Sequence, residues 1–592
     1  MYPMRVQKLM LPLALLTIAG IFSCKNAEKK ERQKVIRVEK PVTKVDVTID
    51  TSNAFNQLFI DSSLVNGFLA ADSSLSDTLV NRIKSFYNSR NYQYAWFSPE
   101  GIPEHTISFW NLLKNYLNYS KDSSVYNKAL SAKMEALITS RESVKVKNDS
   151  TFQQLELSLT KYFHLYADHE YAYDANFDMK TLEWYIPKKK LTLEAMLDSV
   201  IAARGQFSEA FAPRNPQYTA LRKKLQQYKA IKDAGGWPRV NSKVEEMKTG
   251  YKDAAVLALK KRLKTEGFLE GEDSTFTNVY DTALAEAVNT VKEVYGYKPD
   301  GKAGKTFLKD LNVSVDERIQ QILINMERMR WIPIETRDSG RAIMVNIPEY
   351  KMHVYENGRP AWDMNVVVGK ESNNTTVFTG MLKTVVFSPY WNVPTSIVKK
   401  EMGGRPSAAY LARNHMEIVN GQVRQKPGPW NSLGLVKFLF PNSYDIYFHD
   451  SPAKSLFNKD KRSFSHGCIR LKEPAKFAQY VLDDTAKWSP LKIDSAMNSG
   501  KEKFVRVKRP IPVLITYFTA WVDDNDRLNF REDIYGHDAI IAKKMFLNSV
   551  GTTWSRQKAV RDSLQQIKDS IKKKELERKE KLKQDSLKRA KI

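Results

Sequence analysis

Cysteine is nearly absent. Cys24 and Cys468 are the only two in 592 residues, and the eight histidines are scattered. So few thiols exclude a disulfide framework, and no CxxC or HExxH spacing offers a metal site. A Gly-rich phosphate loop is missing as well, so neither a metal nor a cofactor is expected. Only one long hydrophobic run occurs, Leu9 to Phe22, which is too short for a comfortable membrane span. The formal charge is +26, yet no Arg/aromatic platform or nucleic-acid motif accompanies it, so nucleic acid is not an expected partner. Half of that charge sits in two terminal segments. Residues 25–44 hold eight basic and three acidic residues, and residues 556–592 hold fourteen and six. What remains is rich in core material, 42% hydrophobic and 11% aromatic, which excludes a disordered chain. The length implies several domains.

The sparse residues cluster. Ser463 to Leu471 reads SFSHGCIRL and Ile446 to Asp450 reads IYFHD, so His466 stands two positions and His449 nineteen positions before Cys468. A thiolate is a nucleophile, and a positioned imidazole removes its proton or lowers its pKa. Gly467 permits a tight turn, and the N–H groups of Gly467 and Cys468 are candidates to stabilise an oxyanion. The alternative is a small buried Cys with two structural histidines. His449 followed by Ser465-His466-Gly467-Cys468 and Arg470 resembles the L,D-transpeptidase signature of the YkuD family.

That resemblance implies Cys468 as nucleophile and His449 as general base. Asp450 invites a Cys-His-Asp triad, but neighbours on a strand face opposite ways. The resemblance instead implies a backbone carbonyl at position 450 orienting the ring. His466 would bind substrate or shape the oxyanion site, or be structural; Ser465 would buttress the loop. Arg470 suits a stem-peptide carboxylate, or else a neighbouring salt bridge. Tyr390, Trp391 and Trp430 line the groove in this reading, with core packing as the alternative.

Taken in order, residues 1–23 read as a lipoprotein signal peptide, with Arg5 and Lys8 before the apolar run. Ile21-Phe22-Ser23-Cys24 resembles the bacterial lipobox, Phe22 being its unusual member, so Cys24 is the expected lipidation site. The implied location is the bacterial cell envelope, facing the periplasm and lipid-anchored to the membrane, with the outer membrane as the expected one. Residues 24–52 form a polar tether. Residues 53–250 carry helical periodicity and resemble the scaffold domain of the larger YcbB-like enzymes. Residues 253–313, with Pro299-Asp300-Gly301 as a turn, resemble a three-helix peptidoglycan-binding domain, or a helical spacer that keeps only the fold. A helix is predicted from Arg318 to Arg330.

From Arg341 the period switches to strands, with Asn357-Gly358 as a hairpin signal and a strand predicted from Tyr444 to His449. The catalytic domain spans 341–540 in this reading. Its 399–441 insertion contains Gly403-Gly404 and Pro427-Gly428-Pro429 and is expected to act as a lid, or as a plain surface insertion. Residues 556–592 form a basic charged tail. The fold class is multidomain α+β: a β-rich YkuD-type catalytic domain, a helical scaffold and a small three-helix peptidoglycan-binding domain.

The resemblance implies a cell-wall L,D-transpeptidase that forms 3→3 peptidoglycan cross-links through a Cys thioester. Its partners are peptidoglycan stem peptides, with carbapenems as inhibitors. The same site could serve an L,D-carboxypeptidase, and a catalytically inactive peptidoglycan-tethering lipoprotein is the reading from another class. A cysteine protease is disfavoured, because no upstream Gln or downstream Asn pattern accompanies Cys468.

Overall fold

The computed structural model describes residues 41–546, apart from 55, 121–122, 141–144, 171–178, 187–192, 203–215 and 333–339. The signal segment, Cys24, most of the tether and the basic tail lie outside the described residues.

Six helices, Ser62–Ala70, Asp77–Asn88, Glu104–Ser120, Lys128–Thr139, Ser150–Glu170 and Leu193–Ala202, open the chain. Three of them start at side-chain caps, Asp61, Ser76 and Asn127, which satisfy N–H groups the helix itself cannot. Their apolar faces bury Tyr87, Trp96, Phe109 and Phe163 in one core. The aromatic turn at Trp96-Phe97 is held from within by Glu156, whose carboxylate accepts the Ala95 and Trp96 N–H groups at 2.7 and 2.9 Å.

The next helix, Pro216–Asp233, leaves that core. Its Tyr218, Leu221, Leu225 and Tyr228 pack with the three helices Ala254–Thr265, Thr282–Val294 and Lys305–Leu311. Phe518, Ala520, Val522 and Phe530 from the C-terminal part of the catalytic domain complete the same cluster. Helical periodicity reveals that a helix has an apolar face but not which domain covers it, so the core crosses the boundary placed at 250. A connecting helix, Val315–Arg330, begins three residues before the predicted Arg318, because Ser314 and Glu317 form a reciprocal capping box. Its buried Arg328 pairs with Asp538 at 2.5 Å, and its Asn325 donates to Thr519, so the helix is bonded into the catalytic domain.

The central sheet has nine strands: β1 (Arg341–Asn346), β2 (Lys351–Glu356), β3 (Arg359–Gly369), β4 (Thr379–Phe387), β5 (Val436–Leu439), β6 (Phe448–His449), β7 (Ser463–Ser465), β8 (Ile469–Leu471) and β9 (Lys503–Thr516). Their order is β7-β3-β8-β6-β5-β4-β9-β1-β2, and β3 also pairs with β2, so the ladder closes on itself. The hairpin between β2 and β3 turns at Asn357 and Gly358, both with positive φ, as the Asn-Gly signal predicts. β6 and β8 lie side by side near the middle of this order, which brings IYFHD against SFSHGCIRL.

The insertion is a small folded unit. Strands Trp391–Asn392, Met416–Val419 and Gln422–Gln425 form a three-stranded sheet, with helices Thr395–Glu401 and Ala408–Arg413 between them. Val393, Val398, Met416 and Val423 make its own core. It therefore starts before Lys399, and its last stretch, Val436–Leu439, is β5 of the central sheet. Short apolar runs did not separate these strands from loop.

Candidate active site

β6 runs parallel to β8, with Phe448 opposite Ile469 and His449 opposite Arg470. Phe448 and Ile469 are buried in the main core. Alternation therefore sends Tyr447, His449, Cys468 and Arg470 to the other face. A phenol, an imidazole, a thiol and a guanidinium share that face. The Tyr447 and His449 rings are 5.8 Å apart. On the other side of β6, Lys437 of β5 lies opposite His449. Its Nζ donates to the Tyr390 carbonyl at 3.3 Å and lies 3.7 Å from Glu502.

The strand predicted from Tyr444 shrinks to Phe448–His449. Asn442 accepts the Tyr444 and Ile446 N–H groups, and Asp445 adopts a left-handed φ of 54°. This bend presents the Asp445 carbonyl to Cys468, whose S–H donates to it at 3.4 Å. The resting thiol thus bonds to backbone rather than to His449. Burial pushes the Cys468 thiol up to about 11, against hydrogen bonds from Tyr447 that favour the thiolate. Burial likewise lowers His449 to about 3, and the nearby positive charge of Arg470 adds to the effect. Both shifts favour the neutral forms, a thiol and an imidazole. Surrounding protein withdraws the water that would stabilise either charge.

His449 is fixed by its neighbour's backbone. Its Nδ1 donates to the Asp450 carbonyl at 2.5 Å, which leaves Nε2 as the proton acceptor. The Asp450 carboxylate turns away, as strand geometry predicts, and accepts the Leu435 and Ser451 N–H groups.

The turn before the nucleophile is closed by Ser465, whose Oγ donates to the Cys468 carbonyl at 2.6 Å and accepts the Gly467 N–H at 3.2 Å. That bond uses the Gly467 amide, so of the two candidate oxyanion donors only the Cys468 N–H is without an acceptor among the described residues. Gly467 has φ of 114°, a region that side chains rarely adopt. His466 is exposed, and its Nε2 meets Glu401 at 2.7 Å, joining the turn to the end of an insertion helix. The insertion therefore reaches the nucleophile.

Arg470 is half-buried with its Nε unbonded, and it has no acidic partner among the described residues. Tyr390 lies beneath the Arg424 guanidinium, 4.2 Å from ring centre, next to Lys437. Trp391 packs on the insertion's core. Trp430 is 44% exposed and stacks on His415 at 3.9 Å. Tyr447, Lys437 and Glu401 escaped the sequence reading. Only Tyr447 had a signal, since it lies two residues before His449 on a strand.

Residues 340–495 match the family model described as the L,D-transpeptidase catalytic domain, YkuD. The part of the chain that holds His449 and Cys468 is thus similar to the YkuD L,D-transpeptidase catalytic domain. Residues 252–311 match the "Putative peptidoglycan binding domain", and residues 81–225 match the model described as "Scaffold domain". A "Putative L,D-transpeptidase" of Haemophilus influenzae is 31% identical over 242 residues, covering 37% of this chain and 48% of the relative. The chain thus spans about half the length of that curated relative. Among solved structures, an L,D-transpeptidase from Mycobacterium smegmatis has 15% identity and a TM-score of 0.18, covering 30% of this chain and 58% of that one. L,D-transpeptidase 3 from Mycobacterium tuberculosis, solved with a faropenem-derived adduct, has 14% identity and a TM-score of 0.17, covering 30% and 60%. The family resemblance rests on the catalytic-domain match.

Proposed function

We propose that this protein cross-links cell-wall peptidoglycan by L,D-transpeptidation, with Cys468 as nucleophile and His449 as base. The observation that carries the reading is one sheet face holding Cys468, the Asp450-oriented His449 and Arg470, which has no acidic partner among the described residues. The Cys468 sulfur attacks the carbonyl between the third residue and the terminal D-Ala of a tetrapeptide stem. Its proton passes to His449 Nε2 as the C–S bond forms, because neither neutral group ionises readily beforehand. The Cys468 N–H faces the developing oxyanion, and the half-buried guanidinium of Arg470 binds a stem carboxylate. His449 then protonates the leaving D-Ala amine. A side-chain amine of a second stem attacks the thioester, forms the 3→3 link and returns the thiol.

Carbapenems would acylate the same sulfur. The scaffold match supports membership of the YcbB-like subgroup, with the folded insertion as lid. The lipobox resemblance supports a Cys24 lipid anchor in the outer membrane, facing the periplasm.

The deciding experiment gives disaccharide-tetrapeptide to wild type and C468A and reads products by mass spectrometry. A dimer lighter by one D-Ala, made by wild type alone, is the expected result. Tripeptide monomer alone would reassign the site to an L,D-carboxypeptidase. No product and no carbapenem adduct would leave a peptidoglycan-tethering lipoprotein.

A further inference from the structure

We propose that Thr375, backed by Tyr535, is a positioning residue for acyl transfer: it locks the Gly467–Cys468 peptide so that the Cys468 N–H faces the acyl oxygen. The inference rests on the acyl-transfer reading of Cys468.

A trans peptide holds its C=O and N–H in opposite directions, so fixing one aims the other. Gly467, at φ of 114°, is a residue for which many peptide orientations cost little. An unrestrained glycine directly before the nucleophile would let the oxyanion donor swing. Thr375 removes that freedom. Its hydroxyl, fully buried, donates to the Gly467 carbonyl at 2.7 Å and accepts the Gly369 N–H at 2.9 Å. Both capacities of the hydroxyl are used, so it has a single orientation. With the Gly467 carbonyl anchored into the protein, the Cys468 N–H points away from Thr375, where it meets no acceptor among the described residues.

Thr375 is itself held. Its N–H donates to the Tyr535 hydroxyl at 3.2 Å, and that hydroxyl donates to the Gly369 carbonyl at 2.6 Å. The Tyr535 N–H in turn donates to the Tyr517 hydroxyl at 2.8 Å, which donates to Asp533 at 2.7 Å. A Cβ at Gly369 would collide with the Asn373 carbonyl, so the loop carrying Thr375 closes tightly over β3 only because position 369 has none. The donor that sequence places beside the nucleophile is thus aimed by a hydroxyl 93 positions upstream of Cys468 and a phenol 67 positions downstream.

Two reactions of Cys468 separate positioning from general damage, both measured on the full chain. Acylation by p-nitrophenyl acetate passes through a tetrahedral oxyanion; alkylation by iodoacetamide does not. T375V is expected to slow acylation by ~10- to 100-fold while alkylation changes less than about threefold, and T375S, which keeps the hydroxyl, to recover most of the loss. Y535F, which retains Thr375, is expected to lower the same acylation-to-alkylation ratio by a smaller factor, and it decides the matter should T375V not fold. An unchanged ratio in the folded variants, or equal loss of both reactions, would overturn the proposal. Tetrapeptide turnover is followed in parallel. Wild type that takes the ester but ignores stem peptides would overturn the transpeptidase reading while the Thr375 ratio still stands on its own.

Discussion

His449 Nδ1 bonds to the backbone carbonyl of Asp450 at 2.5 Å, while the carboxylate of that same Asp450 faces the opposite way. The orienting group for the imidazole is a peptide oxygen, which carries no titratable charge. The carboxylate instead secures Leu435, where the insertion returns to the central sheet.

D450N should therefore separate two roles. The backbone carbonyl survives the substitution, so steady-state turnover is expected to fall by less than about tenfold, whereas a true carboxylate triad loses roughly ten-thousand-fold. The buried N–H acceptor is weakened, and thermal unfolding should report a loss of about 1–3 kcal/mol. A turnover loss near the triad value would show that the carboxylate acts on His449 after all.

Thiol reactivity should rise steeply in alkali. Cys468 is raised to about 11, so its neutral form persists far above the ordinary thiol range and the thiolate fraction grows as pH climbs toward that value. Iodoacetamide labelling, read by mass spectrometry, is expected to increase through pH 8 to 10 without a plateau, unlike a free thiol with a pKa near ~8.5. A plateau at neutral pH would mean a preformed thiolate–imidazolium pair.

R470A tests the guanidinium on this face. Neutral iodoacetamide and anionic iodoacetate report the local charge through the same sulfur. Removing Arg470 should lower the iodoacetate-to-iodoacetamide ratio by ~3- to 10-fold and raise the KM for tetrapeptide, and R470K should restore the charge effect better than the KM, because an ammonium lacks the planar fork. No change in either quantity would place Arg470 outside the binding face.

The contact between His466 and Glu401 is partly exposed, with side chains 35% and 50% accessible. Such pairs contribute about 0–1 kcal/mol, so E401Q should shift KM or Cys468 labelling by no more than about fivefold. The expected direction is faster labelling, since the insertion helix would hold less closely to the nucleophile turn. Slower labelling would argue that Glu401 orients the turn instead of covering it.

Local chemistry was legible without coordinates wherever one segment decided it. The Ser465–Cys468 turn requires Gly467, the Asn357-Gly358 hairpin follows from two residues that tolerate positive φ, and the opposite faces of His449 and Asp450 follow from strand alternation. Each of these depends on neighbours in sequence, and short-range sterics carry that information.

Tertiary structure alone decided the rest. The pairing of β6 with β8 puts Tyr447 beside Cys468, and the closure of the sheet through β3 brings Thr375 beneath Gly467. The switch of helix Pro216–Asp233 to the core of the three-helix unit depended on a hairpin some three hundred residues away. The protonation preference of the site belongs here as well. A sequence displays which groups can ionise, but the dielectric around them is set by what the fold packs there, and here that packing favours the neutral forms of Cys468 and His449.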